Sequence, residues 1–478
     1  MLRSRFTTAA CILVVVACAS FAAAQQSPGN DGWRQCTTTN FCYRTRERAP
    51  VSYSLSNVEH TDNGVTTFRL NAQNVDPALY PSHLEAELGL LTSGAVHFRV
   101  TESSDITDKK GKRFEAAPYV LVPDALTIEP NPTRFLDETY FTISRPNGTH
   151  GIKVLFKPFK MQYIINKFEV IAEFNSESFF NVEQRRARHA SDPAEAWKET
   201  WDGWTDTKRF GPSALTFDVS FPESQALFGL PEHTNNIALK RTRGKDREHD
   251  EPYRLYNLDA YGHPLDSPAA TYGIVPLVTS HSIRGGNGNG NIQSAADGKP
   301  LRETRLRRMY NDAVSASSAA KLFSVSAGVF FLNPSETFVD VGRSERDGTP
   351  YTRWMAESGV LELFFLGGNT HADVARQYHL LTGLPRQPPA FAMGYHQSRW
   401  NYVDDKDLTD VANKFTEYKI PMDVMWLDID HTDQMKYFTW DKKAFPNPAV
   451  MQNYIGMDGR QLVTIVDPHI KTTPGTVK

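Results

Sequence analysis

Val424-Met425-Trp426-Leu427-Asp428-Ile429-Asp430-His431 runs from a short apolar segment straight into two carboxylates and an imidazole. Four apolar residues bounded by polar ones fit a strand covered on both faces, the kind parallel sheets use. The chain on either side supports that reading. Asp404-Asp405 can cap a helix, and Leu408, Val411, Ala412 and Phe415 recur at helical spacing behind them. Pro388-Pro389 introduces an earlier apolar run at 391–395, which fits a buried strand. A later run at 462–466 ends in Asp467-Pro468-His469. Strand and helix in alternation, with polar residues at the strand ends, predict a β/α architecture. In an eight-fold barrel, catalytic groups gather at the C-terminal strand ends. Three such strands are legible before Lys478.

Upstream the pattern changes. From about residue 43 to 385 the chain offers short runs rich in Val, Phe, Tyr and Thr, punctuated by Gly, Pro, Asn and Asp. Examples are 66–70, 96–100, 119–122, 152–156, 168–174, 215–221 and 329–331. Many short strands with such breaks predict an all-β sandwich. Two stretches interrupt it. Residues 185–209 are polar, with Trp197, Trp201 and Trp204, and read as a surface excursion with anchoring aromatics. Residues 284–318 hold a Gly/Asn run and then Arg302, Arg305, Arg307 and Arg308. Such composition cannot bury enough apolar surface to order itself, so a long disordered loop is expected. Its glycines lack the strand-to-helix setting of a phosphate cradle. The expected organisation is a sandwich over 25–387, the start of a barrel over 388–470 and a tail over 471–478.

The 478 residues carry a net charge of −3, with 22% charged and 11% aromatic residues. There are enough aromatics to fill cores, and no basic surplus for binding nucleic acid. Residues 1–24 read as a secretory signal peptide: Arg3 and Arg5, an apolar run, then Ala22, Ala23 and Ala24. The run is shorter than the roughly 20 residues a membrane span needs, so no membrane anchor is expected. Cys11 and Cys18 leave with that leader. Cys36 and Cys42 remain, spaced to close a small disulfide loop in an oxidising lumen. Asn147-Gly148-Thr149 is a glycosylation sequon in a turn-like stretch.

The chemistry-bearing residues lie at the barrel strand ends. His396, Gln397, Arg399 and Trp400 set an aromatic plate beside several hydrogen-bonding groups, which suits a sugar ring. The bland alternative is a core tryptophan and an arginine on a structural carboxylate. Strand alternation puts Asp428 and Asp430 on one face. A carboxylate there can grip sugar hydroxyls, take part in acid/base work, or join His431 or His469 on a metal. It can also be half of an ion pair with Arg399. Asp467-Pro468-His469 alone is a weak signal.

Three stretches, 391–400, 423–440 and 464–470, together resemble glycoside hydrolase family 31, the retaining α-glucosidase family, closest to its glucose-trimming members of the endoplasmic reticulum. Gly229-Leu230-Pro231-Glu232-His233, Tyr253-Arg254-Leu255-Tyr256-Asn257-Leu258-Asp259 and Phe331-Leu332-Asn333-Pro334-Ser335-Glu336-Thr337 agree upstream, as does the Cys36–Cys42 pair. The resemblance implies a galactose-mutarotase-like sandwich ahead of a (β/α)8 barrel, here truncated after about three strands. It implies that Asp428 grips hydroxyls of the glucose whose bond is cut. Trp400 would wall that subsite, Ile429 would line it, and Asp259 would reach over it from a sandwich loop. Asp430 and His431 match the motif without an assigned role. The implied substrate is a glucosylated N-glycan of new glycoproteins. The implied partner is a lectin-type β subunit that retains the enzyme in the endoplasmic-reticulum lumen.

One departure bears on activity. The family's nucleophile lies in a Trp-x-Asp-x-Asn-Glu-like motif on a later strand, with the acid/base Asp beyond it, and neither motif occurs here. Residues 471–478 read as a tail added where the matching sequence ends, as a truncated gene model would leave. Retaining cleavage needs two carboxyl groups ~5–5.5 Å apart. The 478-residue polypeptide is therefore expected to hold glucose without hydrolysing its glycosides. Cleavage by two carboxylates needs no cofactor and no metal. A non-catalytic carbohydrate-binding fragment is the second reading, and a barrel metallohydrolase a remote third.

Overall fold

The computed structural model describes residues 34–76, 80–102, 112–188, 190, 192, 194–201, 203–258, 265–286 and 321–467. The leader, Asp259, His469 and residues 287–318 of the insert lie outside them. The chain divides into two units, Met1–Gly383 and Leu384–Lys478.

The first unit is a sandwich of two antiparallel sheets. One runs in the order Ser52–His60, Thr66–Gln73, His83–Leu90, Val96–Glu102, Leu361–Gly368, Lys321–Phe331, Leu277–Gly286, Leu227–Gly229. The other runs Tyr253–Leu255, Thr337–Arg343, Pro350–Ala356, Leu215–Ser220, Glu169–Phe174, Phe159–Ile165, His150–Phe156, Tyr140–Ser144, Thr133–Leu136. Alternation decides which side chains enter the core. In Val96–Glu102 and Phe159–Ile165 every second residue is buried. Phe68 and Phe98 of the first sheet meet Phe159 of the second at ring separations of 6.1 and 6.2 Å. Phe98 also meets Phe174 edge-on at 5.4 Å. Such offset and edge contacts add to the area they bury.

Some strands are buried on both faces because a further layer covers them. The Leu215–Ser220 strand is buried throughout. Outside that sheet sit the Cys36–Cys42 disulfide and the Asn40–Arg46 helix, with Phe41 packed among Phe179, Ala214, Phe338 and Met355. Arg44 of this helix bonds Glu183 and Glu199, and Arg46 bonds Asp340 through Nε at 2.9 Å and Nη2 at 2.8 Å. Outside the first sheet lies the His371–Thr382 helix, which buries Val374 and Leu381 against Phe364 and Leu366. Its N-cap Thr370 and Asp373 form a reciprocal capping box.

Three expectations for this unit are corrected. Arg284 does not begin a loop: the Leu277–Gly286 strand carries it, and it is 4% exposed. Its guanidinium bonds Glu169 and the carbonyls of Val170 and Pro222, which makes burial of the charge affordable. Residues 119–122 are not a strand. Pro118, which cannot donate to a ladder, sits at the start of the single helical turn Ala117–Val120, as its second residue. In the 185–209 stretch, Trp197 is buried as an anchor, whereas Trp204 is exposed on the Lys198–Trp201/Trp204–Thr207 hairpin, stacked on Trp201.

The Asn147 sequon lies in the turn between Tyr140–Ser144 and His150–Phe156. Asn147 is exposed and its Oδ1 accepts from Thr149 N and Oγ1 at 3.0 and 2.8 Å.

Candidate active site: the strand ends of the second unit

The second unit is built on three parallel strands, His396–Gln397, Val424–Leu427 and Gln461–Thr464, with the middle one in the centre. Two helices follow the first and second strands, Asp405–Glu417 and Pro448–Gly456. The Asp404 side chain caps the first helix, accepting from Asp407 N at 2.7 Å. Leu408 and Ala412 are buried in a cluster with Met425, Leu427, Phe445, Met451 and Ile455. Parallel strands put all three C-terminal ends on one side, and this gathers Ser398–Asn401, Asp428–His431 and Ile465–Asp467.

The first strand is not where the apolar run predicts it. Ala390–Met393 is a 3-10 turn led by Pro389, and Phe391 and Met393 are exposed. The strand itself is two residues long and pairs on one side only. Pro389 cannot feed a ladder hydrogen bond. The chain is instead fixed by Asp423, whose Oδ2 accepts from Tyr395 N at 3.0 Å. Only a glycine fits at position 394, since a Cβ there would sit 2.0 Å from Asp423 Oδ2. Within the sheet, Trp426 Nε1 donates to His396 Nδ1 at 2.9 Å, and His396 Nε2 donates to Ala392 O at 3.2 Å.

The alternation argument for Asp428 and Asp430 also fails, because the strand stops at Leu427. Asp428 is the N-cap of the 3-10 turn Ile429–His431, and its Oδ1 accepts from Ile429 N at 2.7 Å. This leaves Oδ2 as the carboxylate oxygen available to a hydroxyl. Asp430 instead accepts from Asn401 N at 3.0 Å through Oδ2. His431 is 5% exposed, lies 2.6 Å from Asp428 O through Nδ1, and packs edge-on against Trp440 with ring centroids 5.0 Å apart. A carbonyl only accepts, so Nδ1 carries the proton.

Trp400 projects from the first loop, 69% exposed. Ile429 is half-buried beside Asp428. Arg399 is exposed and forms no ion pair with Asp428. Among the described residues no group of three or more His, Cys, Asp or Glu side chains could hold a metal ion. Sequence reading missed Tyr437, whose hydroxyl donates to Asp467 Oδ2 and ties the second loop to the third. Burial and that carboxylate hold the Tyr437 phenol above its ordinary range, so the proton stays on oxygen. No sequence spacing announces this pair, because the contact joins residues of different loops.

A two-sheet sandwich followed by parallel strands that end in carboxylates is the arrangement to set beside known proteins. Residues 85–288 match the glycosyl hydrolase 31 N-terminal galactose mutarotase-like domain, and 385–477 match the glycosyl hydrolases family 31 TIM-barrel domain. The chain belongs to glycoside hydrolase family 31.

A probable glucan 1,3-alpha-glucosidase of Oryza sativa is 35% identical over 461 residues, covering 92% of this chain and 44% of that protein. The glucosidase 2 subunit alpha of Schizosaccharomyces pombe is 32% identical over 374 residues, covering 76% and 36%. The structure of an ER glucosidase II heterodimeric complex, of catalytic subunit and regulatory-subunit binding domain, aligns with TM-score 0.76 at 29% identity, covering 93% of this chain and 47% of that one. The chain spans less than half the length of these relatives. The sandwich and the opening strands of the barrel are the parts it shares with them.

Proposed function

We propose that this chain is the sandwich and opening barrel portion of an α-glucosidase of the glucosidase II alpha type. The activity of the whole enzyme is retaining hydrolysis of glucose from N-linked glycans of new glycoproteins in the endoplasmic-reticulum lumen, alongside a lectin-type β subunit. The observation that carries the glucose pocket is Asp428: a carboxylate fixed at a parallel strand end by its own capping bond, with one oxygen left for sugar hydroxyls. Trp400 supplies the stacking face and Ile429 the apolar flank. The relatives' names and the heterodimeric relative support the trimming role and the partner. The leader-like residues 1–24, the Cys36–Cys42 disulfide and the Asn147 sequon support the lumenal setting.

Residues 1–478 as they stand bind the glucosyl unit but do not turn it over. The three carboxylates at the strand ends each have a local duty: Asp428 caps, Asp430 takes the Asn401 amide and Asp467 takes the Tyr437 phenol. The nucleophile motif is absent from the sequence. Calorimetric titration with methyl α-D-glucopyranoside tests the pocket. Saturable binding that Asp428→Ala abolishes is expected, and equal binding of the β-anomer or of a mannoside counts against it. Release of 4-nitrophenol from its α-glucoside by this polypeptide would sink the turnover claim.

A further inference from the structure

Asp430 accepts from a backbone amide that lies outside the strand ladder. The His396–Gln397 strand ends four residues before Asn401, so the Asn401 N–H has left the ladder. Asn401 adopts φ +78°, the left-handed region that asparagine tolerates better than other non-glycine residues. Its N–H donates to Asp430 Oδ2 at 3.0 Å, across 29 residues of sequence. Among the described residues this is the one hydrogen bond from the 398–401 stretch to the loop of the second strand. Burial does not hold Trp400 either, since the indole is exposed. Downstream, Tyr402 is buried and takes a bond from Gln397 at 3.0 Å, so one end of the loop is anchored while its tip is not. On the other side, Asp428 and Asp430 belong to one 3-10 turn. A single rigid turn therefore carries both the hydroxyl-gripping carboxylate and the clamp on the indole's neighbour.

We propose that Asp430 is a positioning residue that fixes the Trp400 loop relative to Asp428. Its importance for sugar binding rests on the glucose-pocket reading above; the clamp itself does not. Loss of the clamp leaves Trp400 sampling several orientations, and the ligand must then select one, which lowers affinity.

The test uses the 478-residue protein labelled with 5-fluorotryptophan, whose eight tryptophans give eight fluorine signals. Trp400→Phe assigns the relevant one. In the ligand-free protein, Asp430→Ala is expected to shift or broaden the Trp400 signal and leave the other seven in place, while Asp430→Asn, which keeps an acceptor oxygen, restores it. Affinity for methyl α-D-glucopyranoside should fall about tenfold in Asp430→Ala and stay within about twofold in Asp430→Asn. If Asp430→Ala does not fold, Asp430→Ser, too short to reach the amide, replaces it. A Trp400 signal unchanged by the Ala or Ser variant, or moved equally by Asn, overturns the proposal. Wild-type protein that binds no glucoside overturns the pocket reading alone, because the fluorine signal is read without ligand.

Discussion

The indole of Trp426 donates to Nδ1 of His396 at 2.9 Å, joining the first two barrel strands through their side chains. An indole N–H only donates, so the imidazole must be the Nε2–H tautomer, and Nε2 indeed faces the carbonyl of Ala392. One ring thus ties the second strand to the 3-10 turn ahead of the first. His396→Ala leaves a half-buried donor unpaired, at a cost of about 1–3 kcal/mol. His396→Gln, whose amide oxygen can take the indole hydrogen, should recover part of it. Urea unfolding followed by tryptophan fluorescence reads the difference, and an unchanged midpoint in His396→Ala counts against the bond.

Asp340 is fully buried in the sandwich and accepts from Arg46 twice and from Thr242 Oγ1 at 2.8 Å. Removing one partner of such a pair strands the other charge. Asp340→Ala is expected to cost about 3–5 kcal/mol. Arg46→Met, which removes both short bonds from the cation's side, should cost less, because Arg243 Nη1 still lies 3.7 Å from Asp340 Oδ2. Calorimetric melting of the two variants checks this. Losses below 1 kcal/mol in both would show that the bond is dispensable.

Acid should weaken the sandwich through His233. Burial pushes this imidazole below its ordinary value, and the nearby carbonyls of Arg254 and Leu230 oppose that only in part. Nε2 lies 3.0 Å from Arg254 O. The neutral form is favoured in the fold, while the unfolded chain takes up a proton near pH ~6.5. His233 therefore contributes full stability above that pH. The contribution falls as pH drops toward the lower folded value, by at most about 1.4 kcal/mol per pH unit for one proton. His150, also lowered by burial, acts in the same direction. Chemical denaturation between pH 7.5 and 5 measures the slope, and His233→Phe should flatten it. A slope unaffected by that substitution would contradict the assignment.

Asn147 should accept a glycan in a eukaryotic secretory host. It is exposed in a tight turn, with its Oδ1 already in contact with the Thr149 hydroxyl. Enzymatic deglycosylation should lower the apparent mass of the secreted protein, and Thr149→Ala should abolish the change. A single band in the wild type before and after treatment rejects the site.

The parts of the fold that were legible in the sequence are those whose signal is local. Asp404 ahead of Leu408 and Ala412 marked a helix because cap and periodicity sit within little more than two turns of chain. The strand at Val424–Leu427 was legible because its apolar run ends at Asp428. The 391–395 run misled for the opposite reason. Apolar count alone does not separate a strand from a 3-10 turn, and Pro389 settles the matter only once the chain direction is known. Arg284 looked like the polar start of a loop because its carboxylate partner, Glu169, lies 115 residues away. Asp430 had no assigned role because its partner is a backbone N–H, which every residue but proline owns.

The distance along the chain between Arg46 and Asp340 is 294 residues. Val96–Glu102 likewise completes its pairing only with Leu361–Gly368. A ribosome adding roughly 5–20 residues per second needs on the order of 15–60 s to cover such a gap. For that interval Arg46 and the open edge of the first four strands wait in the growing chain, exposed to whatever binds them before their own partners emerge.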